Sequence, residues 1–253
     1  MSIKNLFKSL SVLMFAAAFL CACDNDEDFE KKYGDGSPLP SNILPFENCV
    51  YEYNDDGLVT KITHVETSTD PQGNTVTTEK QIASITYPQY NRAVMVYTGD
   101  YLTTTYVFAF GENHFANRVI ESDEDGDTYM IKYSYDNDGH ITKIDDSEDQ
   151  LRMEWTDGNL TKIHQDEHNA YTILTYGTVT DFSAYGISPF LTNFYLGPFM
   201  NYINWWFNRG LEYALYLGFL GKPCVNLPET MTCYDDVNPT PEEIHFNYSS
   251  NGY

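Results

Sequence analysis

Ser134-x-Asp136-x-Asp138-Gly139, with Thr142 and Asp145 beyond it, sets oxygen-bearing side chains at alternate positions around a glycine in the sixth place. Calcium takes hard oxygen ligands in that order, and the glycine lets the chain turn sharply about the ion. The run lacks an acidic first residue and a closing bidentate Glu, and its flanks read as strands rather than helices. A hairpin turn accounts for the same residues without an ion. His164-Gln165-Asp166-Glu167-His168 offers imidazole and carboxylate to a metal. It also stands where a hairpin passes into its next connection, where polar side chains face water. Nucleophilic chemistry has no visible carrier. There is no G-x-S-x-G, and Gly186-Ile187-Ser188-Pro189 lacks the second glycine that such an elbow needs. A phosphate loop and an H-E-x-x-H zinc helix are absent as well. Among 37 acidic residues no carboxylate pair stands out as glycosidase-like. No catalytic, cofactor-binding or metal-binding residue is assigned.

The strongest chemical signal is a thiol near the start. Lys4 and Lys8 precede an uncharged segment, Ser9–Phe19, which runs into Leu20-Cys21-Ala22-Cys23. A short positive region, an apolar region of roughly 7–15 residues and small residues at a cleavage site make a secretory signal. A cysteine just after Leu-x-Ala resembles the lipobox of bacterial lipoproteins. That likeness implies diacylation of Cys23, cleavage before it and an acylated N-terminus. Two or three acyl chains at roughly 0.8 kcal/mol per buried methylene hold a protein firmly to a membrane. Residues 1–22 therefore read as signal peptide and residues 23–42 as lipid anchor and stalk. Asp24–Glu30 is acidic, and Gly34-Asp35-Gly36-Ser37-Pro38 cannot bury enough apolar surface to order itself. An acidic run directly after a lipidated cysteine resembles the surface-export signal of lipoproteins in Bacteroidetes-type outer membranes. The Lys or Gln usual before the acids is missing from Cys23-Asp24-Asn25. The expected location is the outer membrane at the cell surface, with a periplasm-facing anchor as the alternative, and the membrane at Cys23 is the expected partner.

Formal net charge is −23, and removing residues 1–22 with their two lysines leaves −25. So acidic a chain repels phosphate backbones, which excludes nucleic acid as a partner. Residues 43–253 are enough for a single β-rich domain with one sizeable core. Cys49, Cys224 and Cys233 remain beyond the anchor, an odd number. One disulfide is allowed in an oxidising compartment, with Cys224–Cys233 the local choice, though spacing does not dictate the pairing.

Behind these residues lies a repeat. Tyr51-x-Tyr53-Asn54-Asp55-Asp56-Gly57-Leu58-Val59-Thr60-Lys61-Ile62 recurs as Tyr133–Ile144 and, one residue shorter, as Met153–Ile163; Phe246–Tyr253 begins a fourth copy. Aromatics at i and i+2 share one face of a strand. An Asn/Asp run ending in Gly tolerates the positive φ of a tight turn, and Thr-Lys-Ile suits a returning strand. Each copy is a β-hairpin. Val59 and Ile62, like Ile141 and Ile144, are three apart and face opposite sides of a regular strand, so either a bulge intervenes or both faces are partly covered. Further strands are expected at 76–79, 81–87, 92–97, 103–110, 118–122, 129–135 and 170–176. So many consecutive hairpins make a mainly β fold, a strongly curved or barrel-like antiparallel meander. The exception is the apolar stretch 198–220. Pro198 suits a first helical turn, Gly210 a break, and Leu211, Leu215 and Phe219 fall at near-helical spacing. A membrane span would bury Arg209 and Glu212 at up to roughly 3 kcal/mol each. A helical insert packed on one face of the sheet is expected instead.

The Y-x-Y…G…T-K-I hairpins, the apolar insert and Gly218–Pro228 together resemble a family of uncharacterised Bacteroidetes lipoproteins of unknown function with a porin-like β fold. The resemblance covers most of residues 43–253 and implies that fold, but supplies no catalytic residue. The expected function is that of a non-catalytic, membrane-anchored surface lipoprotein binding a glycan or protein partner. Aromatics make up 15% of the chain, 21 of them Tyr, and rings such as Trp155 offer a platform for sugars. A carrier of lipid or another apolar ligand, lined by Met200, Trp206, Phe207 and Leu211, is the alternative; a hydrolase whose acids do not stand out is the third class. The anchor is testable directly. A fatty-acid probe fed to cells labels the wild-type chain and fails to label Cys23→Ser; equal labelling of both removes the anchor.

Overall fold

The computed structural model describes residues 49–99, 102–146, 150–165, 170–178, 210–234 and 241–246. Thirteen strands form a single antiparallel sheet whose spatial order is their order in sequence, with β1 and β13 as its two edges. They are β1 (Cys49–Tyr53), β2 (Val59–Thr69), β3 (Thr75–Gln89), β4 (Arg92–Thr98), β5 (Thr103–Phe110), β6 (Ala116–Ser122) and β7 (Thr128–Tyr135). Then follow β8 (Ile141–Asp145), β9 (Gln150–Thr156), β10 (Asn159–Gln165), β11 (Ala170–Tyr176), β12 (Pro228–Tyr234) and β13 (Glu242–His245). Among the described residues there is one helix, α1 (Glu212–Tyr216), between β11 and β12. The meander of hairpins is thus present, and the sheet is open.

The turns explain why the sequence doubles back where it does. Asn54 Oδ1 accepts the backbone N–H groups of Asp56 and Leu58 at 3.1 and 2.9 Å. Asp70, Asp123 and Asp136 make the same pair of bonds, two and four residues ahead, in the β2–β3, β6–β7 and β7–β8 turns. One short side chain closes each turn in place of ladder bonds. In the shortened copy the turn has two residues, with Asp157 at φ 50°.

The three-residue spacing resolves as a bulge. Glu52 pairs with Lys61 and Tyr53 with Val59, which leaves Thr60 as the extra residue. Thr142 is skipped between β7 and β8, and Thr161 between β9 and β10, in the same way. The threonine of every T-K-I copy is the bulged residue. Its hydroxyl supplies a substitute bond, from Thr60 Oγ1 to the Glu52 carbonyl at 3.3 Å and from Thr161 Oγ1 to the Glu154 carbonyl at 3.1 Å. Because of the slip, Val59 and Ile62, Ile141 and Ile144, Leu160 and Ile163 all bury on one face. A further slip sets Ile82 against no partner between β2 and β3. The strands expected at 76–79 and 81–87 are consequently one continuous β3 with two adjacent buried residues, Ile82 and Ala83.

A second recurring contact joins neighbouring strands. The Tyr87 hydroxyl donates to the Val59 carbonyl at 2.8 Å, Tyr135 to Ala116 at 2.6 Å, the Trp155 indole N–H to Ile141 at 2.7 Å, and Tyr176 to Leu160 at 2.7 Å. Each donor stands at or near the end of one strand, and each acceptor at the start of the strand before it. Aromatic rings therefore clasp the sheet along the margin where the β1–β2, β7–β8 and β9–β10 turns lie.

The core occupies one face. Ile62, Met95, Tyr106, Phe108, Val119, Ile144 and Leu160 are fully buried there, and residues 211–227 cover them. Phe219 meets Phe108 and Phe110 edge-on at 5.2 and 5.1 Å, and Tyr213 stacks on Tyr97 at 5.9 Å. Of the expected helical insert, 198–209 lies outside the described residues, and 210–220 contains only the short α1. The stop is local. Gly218 takes φ 72° and donates to the Leu215 carbonyl, while Phe219 N–H reaches back to Ala214 at 2.8 Å, a Schellman close. The spacing of Leu211, Leu215 and Phe219 is helical at its start and serves an irregular buried segment at its end.

From Phe219 onward the chain runs as a strap across the hairpin tips. Ala116 N–H donates to Phe219 O, Lys222 N–H to Gly139 O, Val225 N–H to Gly158 O and Gly177 N–H to Leu227 O, at 2.8 to 3.2 Å. Asn159 and Asn226 add a reciprocal pair, both bonds 2.9 Å.

Gly139 carries the tightest of these turns. Its φ is +93°, and a Cβ there would stand 2.6 Å from Phe115 Cε2, whereas Gly57 at φ +77° has nothing within 4 Å. Both alanine substitutions incur left-handed strain of about 1–2 kcal/mol. Only Gly139→Ala also displaces a packed ring, at a further cost of about 1 kcal/mol or more. Urea unfolding should rank Gly139→Ala below Gly57→Ala, and equal midpoints would place Phe115 elsewhere.

Candidate functional site

Asp136, Asp138 and His140 bring three candidate ligand atoms within 4.8 Å of one another. The turn that assembles them also uses them. Asp136 Oδ1 accepts the N–H groups of Asp138 and His140 at 2.9 and 2.8 Å, and Oδ2 lies 3.0 Å from His140 Nδ1. Burial works against ionisation of this carboxyl, but the bonds from the His140 backbone and imidazole and from Asp138 outweigh it and hold the pKa below the ordinary value. Asp70 is likewise lowered, first by the Asn74 side chain and then by backbone N–H groups. Asn54 fills the same place in the first hairpin without a charge, so the geometry belongs to the turn. The other expected oxygen ligands are not gathered here. Asp145 stands at the far end of β8, 2.8 Å from Lys143 and 3.3 Å from Gln150, and Ser134 pairs across with Lys143.

His164 Nε2 is 2.7 Å from Glu154 Oε1 on the neighbouring strand. Asp166, Glu167 and His168 lie outside the described residues, as do Cys23, Met200, Trp206 and Phe207. Trp155 is no open platform. Its N–H is held by the Ile141 carbonyl, and the His140 ring covers one face at 4.4 Å and 18°.

The three described cysteines are thiols, and the local Cys224–Cys233 bond is not formed. The sulfurs of Cys224 and Cys233 are engaged elsewhere. Cys224 Sγ lies 3.3 Å from the Leu160 N–H and 3.3 Å from the Tyr176 hydroxyl, and Cys233 Sγ accepts from the Thr172 hydroxyl at 3.6 Å. Burial pushes the Cys49 thiol up to about 11, which leaves little thiolate for nucleophilic work.

The face opposite the core carries the one feature that sequence reading missed. Register places Lys143, Arg152, His164, Tyr171 and Tyr234 side by side on β8 to β12. Tyr171 and Tyr234 stack at 4.4 Å and 15°, and Lys162 Nζ sits 4.7 Å from the Tyr171 ring. The available signal was the alternation of Lys132, Lys143, Arg152 and Lys162 with buried apolar neighbours, which puts them on one side of the sheet.

The Asp136 turn makes a pH-dependent contribution of known sign. A folded-state pKa below the usual ~3.9 stabilises the fold above that pH, and the contribution fades as pH falls through the lowered value. Asp136→Asn keeps the accepting oxygen that Asn54 uses, so at pH 7 its stability should lie within about 1 kcal/mol of wild type. Below pH ~4 it should lose less with acid than wild type does. Urea midpoints measured across that range decide the matter, and parallel acid profiles would remove the carboxylate from the account.

No protein of curated function matches this sequence. Among solved structures it is similar to a porin-like protein from Bacteroides uniformis, with 18% identity and a TM-score of 0.51 over 73% of this chain and 71% of that one. At that identity the likeness concerns the fold. The sequence itself, over residues 50–252, matches a domain of unknown function (DUF4595) with porin-like fold, and the chain belongs to that family.

Proposed function

We propose that the protein is a non-catalytic surface lipoprotein, anchored at Cys23, whose sheet binds a glycan or a protein partner on the face turned away from the core. The observation that carries this reading is the occupancy of the other face. Leu211, Ala214, Tyr216, Leu217, Phe219 and Leu220 are at most 2% exposed, so the chain's own segment fills the ground on which a carried lipid would lie. Leu211, the described member of the lining considered for such a carrier, is itself fully buried. The polarity of the opposite face agrees. A sheet facing lipid needs an outward apolar band, whereas Lys132 and Arg152 stand exposed here. No described helix is long and apolar enough to cross a membrane. The tether and stalk supply reach, and the sheet supplies a rigid surface.

The purified domain should bind glycans on an array or capture a protein partner, and native mass spectrometry should show it free of lipid. Co-purified lipid with a silent array overturns the binding module in favour of the carrier. Protease added to intact cells should cleave the chain, and resistance until the outer membrane is broken overturns the surface placement.

A further inference from the structure

We infer that the face of β6 to β12 opposite the core is a binding site for an anionic polysaccharide, one bearing carboxylate or sulfate groups, laid across the strands. This rests on the reading of the protein as a surface binding module. The chain carries −23 overall and only 14 Lys and Arg, yet Arg118, Lys132, Lys143, Arg152 and Lys162 share this one face over five successive strands. Two carboxylates stand among them, Asp145 and Glu154, so five positive charges less two leave an excess of three. The acids offset only part of this charge: Asp145 lies directly opposite Lys132 and 2.8 Å from Lys143, and Glu154 lies directly opposite Lys162 and 2.7 Å from His164. Arg118 lies directly opposite Lys132, and Lys143 directly opposite Arg152. Like charges in that relation destabilise a sheet. An anion laid along the row offsets the excess of three that these acids leave, and arginine suits carboxylate and sulfate in particular.

The row does not stop at the bases. Beyond Arg152 it continues through His164 to the stacked pair Tyr171 and Tyr234, with Lys162 held over the Tyr171 ring. A pyranose presents an apolar C–H face together with hydroxyls and, in an acidic sugar, an anion. With Tyr171 packed between Tyr234 and Lys162, the tyrosines answer with ring edges and hydroxyls, and the imidazole and cations answer the sugar hydroxyls and the anion. Strands are spaced ~4.8 Å apart, so a saccharide lying across them meets about one side chain per ring. A duplex or a bilayer, by contrast, would meet the surrounding acidic surface as well as this row, and the net charge opposes that.

The test titrates the full mature chain with polygalacturonate, chondroitin sulfate, neutral dextran and anionic phosphatidylglycerol vesicles. The variants are the pair Arg152→Ala/Lys162→Ala and, with the same change in net charge away from the row, the pair Lys80→Ala/Lys222→Ala. Thermal unfolding of each confirms that it is folded. At least one anionic polysaccharide should bind, more weakly as salt rises, and dextran should not. The first pair should weaken binding by about ten-fold or more and the second by less than about two-fold. Equal losses in both pairs, or anionic binding indifferent to the first pair, overturn the site. Vesicle binding without polysaccharide binding overturns the choice of partner. If dextran or a protein binds and the anionic chains do not, this inference fails while the binding-module reading stands; silence toward every glycan and protein ends both.

Discussion

A single residue of register slip governs this sheet. In an unbroken strand, Val59 and Ile62 would point to opposite faces, and one of every such pair would turn into water. Setting the intervening threonine outside the ladder brings both to the same side, in each copy of the hairpin. In the first and third copies the threonine hydroxyl bonds a carbonyl of the facing strand, so the slip does not leave that side of the ladder wholly unpaired. A bulge also sharpens the local bend and twist. The strand's last aromatic is thereby aimed at the start of the preceding strand, where Tyr135, Trp155 and Tyr176 find their carbonyl acceptors. In the Tyr135 and Trp155 hairpins, core and clasp stand beside the same displaced residue.

Turns were readable in advance because their cause is local: an Asn or Asp at the first position and a Gly at the fourth suffice to close them. Spacing of three between apolar residues showed that regular alternation fails, but two arrangements satisfy that spacing, and only strand pairing chooses the bulge. Ile82-Ala83 carries the same ambiguity and divided β3 in two. Helical periodicity over 211–219 was misleading for a related reason, since a buried irregular segment must be apolar at similar intervals. Gly218 already marked the stop. The oxygen-rich run at 134–145 resembled a cation loop because hairpin turns and calcium loops draw on the same side chains; pairing puts Asp145 at the other end of its strand and breaks the resemblance. Alternation could show that Lys143, Arg152 and Lys162 share a side of the sheet, but not that they line up with Tyr171 and Tyr234. That alignment depends on the mutual register of five strands, which no single segment encodes.

The two faces of the sheet differ sharply in polarity. The apolar face turns inward onto the chain's own segment, and the charged face outward. Both features follow from alternation along the strands, and a shift of one residue in any of them would exchange the two. The bulged threonines therefore decide the chemical character of the surface as well as the packing of the core.

The strap holds a further consequence, which concerns length. Three of its contacts with the tips fall at Phe219, Lys222 and Val225, three residues apart, while the hairpins they touch are two strands apart; the fourth, at Leu227, comes two residues on, where the strap enters β12. Three extended residues cover about 10 Å, and two strand spacings cover nearly the same distance. The strap thus acts as a graduated rule laid along the tips. On that spacing, a sheet longer or shorter by one hairpin would need about three residues more or less of strap to keep these contacts. Strap length and hairpin number are thus tied to each other, though they are written at two distant places in the chain.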